Sequence, residues 1–473
     1  MTQKMSEKVS PKVIGAIIAA GLMSFCGVII ETAMNITFPT LMKEFNVTTN
    51  LVQWMTTIYL LVVASMVPLS ATLKKRFKMR SLFLCAIIFF IAGVVIDFVA
   101  TQFWMLLLGR AIQGFGTGIA LPLMFNIILE QVPMSKRGTM MGIGTMITGV
   151  APAIGPTFGG LVVSTLGWRD IFVFLMPLLL ISLILGLLCI QQKVPTRSAS
   201  IDQLSVILII LTFCGLIFGI SNFGSLPFLS WQVIGALVLG IIAFIAFIIR
   251  SQHLDEPILD IKLFKNRRFN LNLLAFALVQ TVALGLSFLL PNYIQLVNGN
   301  TALTAGLIVL PGAALGAIIG PFSGRIYDGI GAKFPLRLGN FLALIGVLGL
   351  ALMGTHLSNV VILGWYTFFM LGIGLHFGNL MTNGLKTIDP VANSDGNAIF
   401  NTTQQFMAAL GTSMSAAIVA ASQTKISNQS TATAVGSTHA FFVLLLFLIG
   451  EMIAIWTITR PTRNHKSATK SAE

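Results

Sequence analysis

The sequence predicts an all-α polytopic membrane protein with fourteen transmembrane helices, and three observations carry that expectation. Over 473 residues the chain is 56% hydrophobic and only 9% charged, where soluble domains carry about 25% charged residues. Apolar runs of the length a bilayer requires, about 20 residues, recur from one end to the other. Lys and Arg are confined almost entirely to alternate loops between those runs.

The runs fall at 13–38, 51–73, 81–100, 103–130, 138–166, 170–190, 202–222, 230–250, 270–293, 302–325, 335–355, 359–383, 397–421 and 438–459. Lys4, Lys8 and Lys12 precede the first run as they would in a signal peptide. That run exceeds 20 residues and is needed for parity, so it is expected to be retained as a span. An even number of crossings puts both termini on one side. The loops of that side hold 25 of the 29 Lys and Arg residues, and the other side holds only Lys43, Arg169 and Lys425, with Arg110 inside a span. By the positive-inside rule both termini are cytoplasmic and the protein sits in the cell membrane. The net charge of +14 is therefore a topology signal and not a nucleic-acid footprint.

An internal repeat divides the chain. Pro68 to Arg80 aligns with Pro321 to Lys333 at a constant offset of 253, each following the second helix of a six-helix block. A parallel repeat about an axis along the membrane normal gives this pattern. The expected organisation is a cytoplasmic N-terminus (1–12), a six-helix bundle (13–190), an inserted pair with linkers (191–269), a second bundle (270–459) and a basic tail (460–473). The inserted pair is expected to pack on the lipid-facing side.

The stretch of greatest chemical interest lies in the first run, where Glu31 and Asn35 stand one helical turn apart. A charged side chain at mid-bilayer costs about 2.5–3.5 kcal/mol on insertion scales, so such residues face a cavity or a partner. Glu31 is either satisfied by a neighbouring helix or a carboxyl that gains and loses a proton, since burial and a nearby cation move its affinity in opposite directions. In the fourth run Arg110 and Gln113 share a face, and Gly114 and Gly118 are spaced for close approach. An arginine does not deprotonate in a protein, so Arg110 is a fixed charge, either tuning Glu31 or forming a static pair. The fifth run carries Gly149, Pro152, Gly155, Pro156, Gly159 and Gly160, a surface against which the halves could rock or simply pack tightly.

Asp97, His376 and Glu451 are further intramembrane ionisable groups and candidate secondary relays, with Glu130 near a helix end. Asp97 is expected to be solvated at an outer end, and His376 to be a satisfied packing residue. Asn379, Asn383, Asn401, Gln404 and Gln405 could line a polar cavity or bond between helices. Trp54, Trp104, Trp168 and Trp231 are expected in the interfacial belt. Cys26, Cys85, Cys189 and Cys214 form no CxxC pair and read as small apolar residues, leaving no disulfide framework or metal site.

With these residues in view, the chain resembles the fourteen-helix drug:proton antiporter family of the major facilitator superfamily. The likeness rests on Trp54 to Tyr59, Leu108 to Gly118, Gly149 to Gly160, Gly167 to Arg169, Pro257 to Phe269 and Gly324 to Lys333. It implies the major facilitator fold of two six-helix bundles plus two inserted helices, proton-driven export, a coupling role for Arg110, and gating loops at 68–80 and 321–333. Gly324, Asp328 and Lys333 carry the second loop. The chain departs from the family pattern in having Glu31 where an Asp is usual, Lys75 where an acid is usual and Ala71 where a glycine is usual, so an inward-side charge lock would rest on Asp328.

No GxxxxGK[ST] loop and no extramembrane domain for an ATPase occurs, nor a metal set such as HExxH. The expectation is a non-enzymatic, monomeric, cofactor-free antiporter driven by the proton gradient. It would export hydrophobic or amphipathic, often cationic, drugs from a cavity lined by Asn35, Gln113, Asn379, Asn383, Asn401 and Gln405. Export of one endogenous amphiphile, lipid or metabolite, is the alternative, followed by a non-transporting sensor.

Overall fold

The computed structural model describes residues 9–193, 195–196, 202–223, 226–227, 229–254, 257–389 and 392–460. The side chains at 71, 75, 129, 134–139, 141–143, 145–146, 148–150, 152–153 and 394 lie outside the described set. Among the described residues there are fourteen long helices: α1 (Pro11–Phe45), α2 (Thr49–Met66), α3 (Met79–Phe98), α4 (Phe103–Gln131), α5 (Met134–Thr165), α6 (Asp170–Cys189), α7 (Gln203–Asn222), α8 (Trp231–Gln252), α9 (Arg267–Leu296), α10 (Ala302–Ile330), α11 (Lys333–Met353), α12 (Asn359–Leu385), α13 (Asn393–Gln423) and α14 (Gln429–Ile458). Thirteen are long and apolar enough to cross a membrane on their described residues, and the fourteenth, α5, is 32 residues long. This is a multi-pass membrane protein.

Several helices outrun the apolar segments that announce them. α1 continues through Pro39 to Phe45 and stops at Asn46, whose φ of 51° is left-handed. α14 begins at Gln429, nine residues before its apolar run, because Ala432, Thr433, Gly436 and Ser437 are buried against neighbours. Apolar length marks the lipid-crossing part of a helix, whereas backbone hydrogen bonding carries the polar turns beyond it. Polar caps set several starts: the side chains of Thr48, Asp202, Asn266, Thr301, Ser358 and Asn428 accept from first-turn N–H groups. The second run breaks in two. After Met66 the chain turns at Pro68, which has no N–H to donate, and resumes as a short helix, Ser70–Arg76.

The face that carries Pro11 and Ile458 is called here the terminal face, and the opposite one the far face. Helices α1–α6 and α9–α14 each pack among themselves, and the two sets meet near the far face. Asn35 Nδ2 donates to Ser287 Oγ at 3.1 Å, and Gln295 Nε2 to the Ile36 carbonyl at 3.0 Å. Thr157 Oγ1 donates to the Gly306 carbonyl at 3.0 Å, and the Leu303 N–H to Ser164 Oγ at 3.1 Å. Small residues make the α5–α10 approach possible. A Cβ on Gly160 would strike the Ala302 carbonyl, one on Gly306 would lie 2.5 Å from the Pro156 carbonyl, and one on Gly159 would lie 2.8 Å from Ala33. Gly155 abuts Thr32 in the same way. The surroundings of Gly149 and of the Pro152 ring lie outside the described set. Toward the terminal face the packing around α10 thins: a Cβ on Gly324 or Gly329 meets nothing within 4 Å.

The inserted pair is not confined to the lipid side. α8 is largely exposed, but α7 lies against both α2 and α13 through Ile217 and a Phe213–Phe406 ring stack with centroids 4.7 Å apart. At the terminal face Arg250 of α8 grips Asp202 of α7 at 3.0 Å. Hydrogen bonds from Arg250 and then Ser205 hold the Asp202 carboxyl down at about 2.

The α5–α10 contact leads to a paired expectation. Gly160→Val should lower the thermal unfolding temperature of the purified protein, at a cost of about 1–3 kcal/mol for overpacking, while Gly324→Val should leave it unchanged. Equal tolerance at both sites would mean that α5 and α10 do not touch as described.

Candidate functional site

Glu31 stands about 4.5 Å beyond the midpoint of α1 toward the far face, at 1.5 Å rise per residue. It is 9% exposed and lies within Coulombic reach of Arg110 and Tyr59. Among the described residues it makes no hydrogen bond and no ion pair. One turn earlier, Gly27 leaves room for Thr117 and the Tyr59 hydroxyl, which would lie 2.8 and 2.9 Å from a Cβ there. One turn later, Asn35 is fully buried and belongs to the far-face seal, accepting from Thr56 Oγ1 at 2.9 Å while donating to Ser287.

Arg110 is fully buried and anchored on three sides. Its Nε donates to the Met55 carbonyl at 3.2 Å and its Nη1 to Gln113 Oε1 at 2.7 Å, while its guanidinium carbon sits 4.2 Å from the centroid of the Tyr59 ring. Gln113 Nε2 in turn donates to Asp97 Oδ2 at 2.8 Å. Arg110 Nη2 and Asp97 Oδ1 have no hydrogen-bond partner. The carboxyl of Asp97 rests on Gly109, and α3 and α4 touch backbone to side chain at Gly93, where a Cβ would lie 2.7 Å from Gln113 Cγ. The expected solvation of Asp97 is therefore wrong. It lies at the end of α3 but is 0% exposed, because Gly109 and Gly93 let α4 close over it. One fixed cation thus acts on two acids, on Asp97 through the Gln113 amide and on Glu31 by Coulombic reach alone.

The second bundle holds another buried cluster. His376 of α12 pairs with Glu451 of α14, Nε2 to Oε1 at 2.7 Å, both 0% exposed. His376 Nδ1 lies 2.6 Å from the Gly372 carbonyl, and Asn340 Nδ2 of α11 donates to Glu451 Oε2 at 2.9 Å. His376 thus has an acid partner within its own bundle, and the pair is remote in sequence and element from Glu31.

The remaining expected positions divide. Asn379 donates to Ser323 Oγ at 2.7 Å, and Asn383 bridges Tyr327 and Asn272 at 3.1 and 2.9 Å, so both tie helices together. Asn401 bonds back to Asn397, while Gln404 and Gln405 are half-buried. Asp328 is 77% exposed and 3.9 Å from Lys386, Glu130 pairs with Lys74 at 2.5 Å, and Lys333 is exposed. Of the four tryptophans, Trp104 and Trp231 are exposed. Trp168 is buried, donating to Glu44 at 2.7 Å, and Trp54 is half-buried against Phe218, so these two depart from the expected belt. A depression of about 540 Å³ opens at the far face between Pro39, Glu44, Ser164 and Gln295. It lies on the other side of the Asn35 layer from Glu31. Among the described residues no group of His, Cys, Asp and Glu could hold a metal ion.

Sequence reasoning missed Tyr59, Asn340 and the seal residues Gln53, Thr56, Thr57, Ser287 and Ser413. Polar residues spaced by three or four along an apolar run, as in Gln53, Thr56 and Thr57, were the available signal.

Two six-helix sets that close on each other near one face, with a buried arginine and, among the described residues, an acid without an ion-pair partner, have the architecture of a membrane transporter. The chain belongs to the Major Facilitator Superfamily, whose model matches residues 20–412. It is 37% identical over 466 residues to the lincomycin resistance protein LmrB of Bacillus subtilis, covering 96% of this chain and 97% of that protein. It is 36% identical over 408 residues to LmrB of Listeria monocytogenes (86% and 87% covered), and 29% identical over 380 residues to multidrug resistance protein 3 of Bacillus subtilis (79% and 72%). Its fold matches the crystal structure of a bacterial homologue of the human lysosomal transporter Spinster, inward-facing and occupied, with a TM-score of 0.69, 16% identity and coverage of 96% and 98%. The protein is a major facilitator transporter related to drug-efflux proteins.

Removing the arginine side chain in Arg110→Ala should cost about 3–5 kcal/mol, because Asp97 and Gln113 lose a buried cationic partner. Arg110→Lys should recover only part of this, since an ammonium lacks the planar fork. Thermal unfolding of the two variants checks the expectation, and a lysine variant as stable as wild type contradicts it.

Proposed function

We propose that this protein is a proton-coupled antiporter that exports hydrophobic or amphipathic, often cationic, compounds. Glu31 carries the exchangeable proton and Arg110 sets how tightly that proton is held. The observation that carries the reading is Glu31 itself, an acid in a membrane helix, without a hydrogen-bond or ion-pair partner among the described residues, within reach of a guanidinium whose Nη2 has no hydrogen-bond partner among them. A carboxyl so placed is costly as an anion in an apolar surround and cheaper when protonated or beside a cation. A proton and a cationic substrate can then compete for it. Resistance proteins among the relatives support an amphipathic drug as cargo.

The distribution of Lys and Arg supports cytoplasmic termini in the cell membrane. The far face is then external, and a seal there makes this the inward-facing arrangement. The six-helix sets (13–190 and 270–459) act as the moving bodies about the α5–α10 contact, with 191–269 inserted between them. The protein works as a monomer, with no cofactor besides the gradient. One charge crossing 100 mV yields about 2.3 kcal/mol, which supports a concentration ratio of roughly fifty-fold by the tenfold-per-1.4 kcal/mol rule. Substrate would sit between the halves on the terminal side of the Asn35 layer, near Glu31. Asp97 and the His376–Glu451 pair, each already engaged within one bundle, serve as structural partners.

In everted vesicles, substrate addition should release protons from wild type, and Glu31→Gln should abolish that release while still binding substrate. Coupled transport surviving in Glu31→Gln would move the proton role to another acid. A single endogenous compound accumulating in a deletion strain, without drug sensitivity, would favour the endogenous-amphiphile reading.

A further inference from the structure

The inserted helix α7 presents a stripe at every fourth position toward the bundles. Ile209 packs with Leu69, Phe247 and Ile258. Phe213 stacks on Phe406 of α13 at 4.7 Å, and Ile217 joins Tyr59 and Leu60 of α2 with Ala408 and Ala409 of α13. Ser221, the last of the stripe, is fully buried and accepts from Gln53 Nε2 of α2 at 2.8 Å. α7 therefore lies along the seam between α2, of the first bundle, and α13, of the second.

At the far-face end of that seam four polar side chains form a dry knot. Gln53 Nε2 also reaches Ser413 Oγ of α13 at 3.5 Å, Gln53 Oε1 accepts from Thr57 Oγ1, and Thr57 and Ser413 share a hydrogen bond of 2.9 Å. All four residues are 0% exposed. One carboxamide thus ties together three helices: one from each bundle and one from the insertion. Opening the far face must part α2 from α13 and so break the Thr57–Ser413 bond. α7 cannot keep its seat against both helices as they part.

We propose that α7 is a working part of the gate: Ser221, through Gln53, helps to hold the far-face seal between α2 and α13 shut. The proposal rests on the reading that the two bundles alternate access. Loss of the Ser221 hydroxyl leaves a Gln53 N–H unsatisfied in the sealed state, whereas water can reach that amide once the far face opens. Sealed and opened populations should then shift by what one interhelical hydrogen bond contributes in a membrane, on the order of three- to eighteen-fold.

The test is pulsed electron–electron resonance in lipid, with spin labels at the exposed far-face positions Thr101 and Lys425 and the four native cysteines replaced by alanine. Ser221→Ala and Ser413→Ala should each raise the long-distance population three- to eighteen-fold over wild type, and Ser221→Thr, which keeps the hydroxyl, should restore it. A Ser221→Ala distribution equal to wild type, while Ser413→Ala shifts, overturns the role of α7. If neither variant shifts but acidification moves the wild-type distance, the knot is not the seal and alternating access stands. A wild-type distance fixed against pH, drug and every variant defeats both readings.

Discussion

A guanidinium in a place without water has to be satisfied by protein, and that requirement organises the first bundle. Arg110 draws a backbone carbonyl from α2, an amide from its own helix, an aromatic face and, through Gln113, a carboxyl from α3. Its position fixes how closely α2, α3 and α4 must pack, and glycines at 93, 109 and 114 admit that closeness. The arrangement leaves one guanidinium nitrogen without a hydrogen-bond partner, and Glu31 lies within its Coulombic reach. The most constrained residue of the bundle is thus the neighbour of its least constrained acid.

Charge is held differently in the second bundle. His376 and Glu451 stand 2.7 Å apart and Asn340 donates to the second oxygen of Glu451, so the cluster ties α11, α12 and α14 together. The two bundles thus differ in how their buried ionisable groups are held. The seal follows the same economy with neutral groups. Asn35, Thr56, Ser287, Gln53, Thr57 and Ser413 are amides and hydroxyls, whose bonds are worth little enough individually to break in each cycle.

The helices and the burial of Glu31 and Arg110 within the membrane-spanning part were legible in the sequence, because apolar length and a charge within an apolar run are local signals. The close approach of α5 was legible too, since Gly155, Gly159 and Gly160 fall at helical spacing. The partnerships were not. Asp97 looks solvent-facing by its place at a helix end, and only the closure of α4 over it, at Gly109, reverses that. Asn35 reads as a cavity residue because it follows Glu31 by a turn, yet it points into the seal. The inserted pair reads as lipid-facing by composition, and no local pattern reveals that Ile209, Phe213, Ile217 and Ser221 lie along a seam made by two helices far apart in the chain. Contacts between distant segments depend on how the bundles are docked, which a single sequence does not encode in any short window.

In the proposed mechanism the Glu31 carboxyl changes protonation as substrate is exchanged. Infrared difference spectroscopy of the protein in lipid, recorded on adding a transported cationic drug, reads carboxyl protonation directly. Wild type should show a protonated-carboxyl C=O band that disappears on drug binding and is missing from the Glu31→Gln spectrum. A band of equal size in Glu31→Gln, or no carboxyl band in wild type at any pH between 5 and 9 (about two units either side of neutrality), would contradict it.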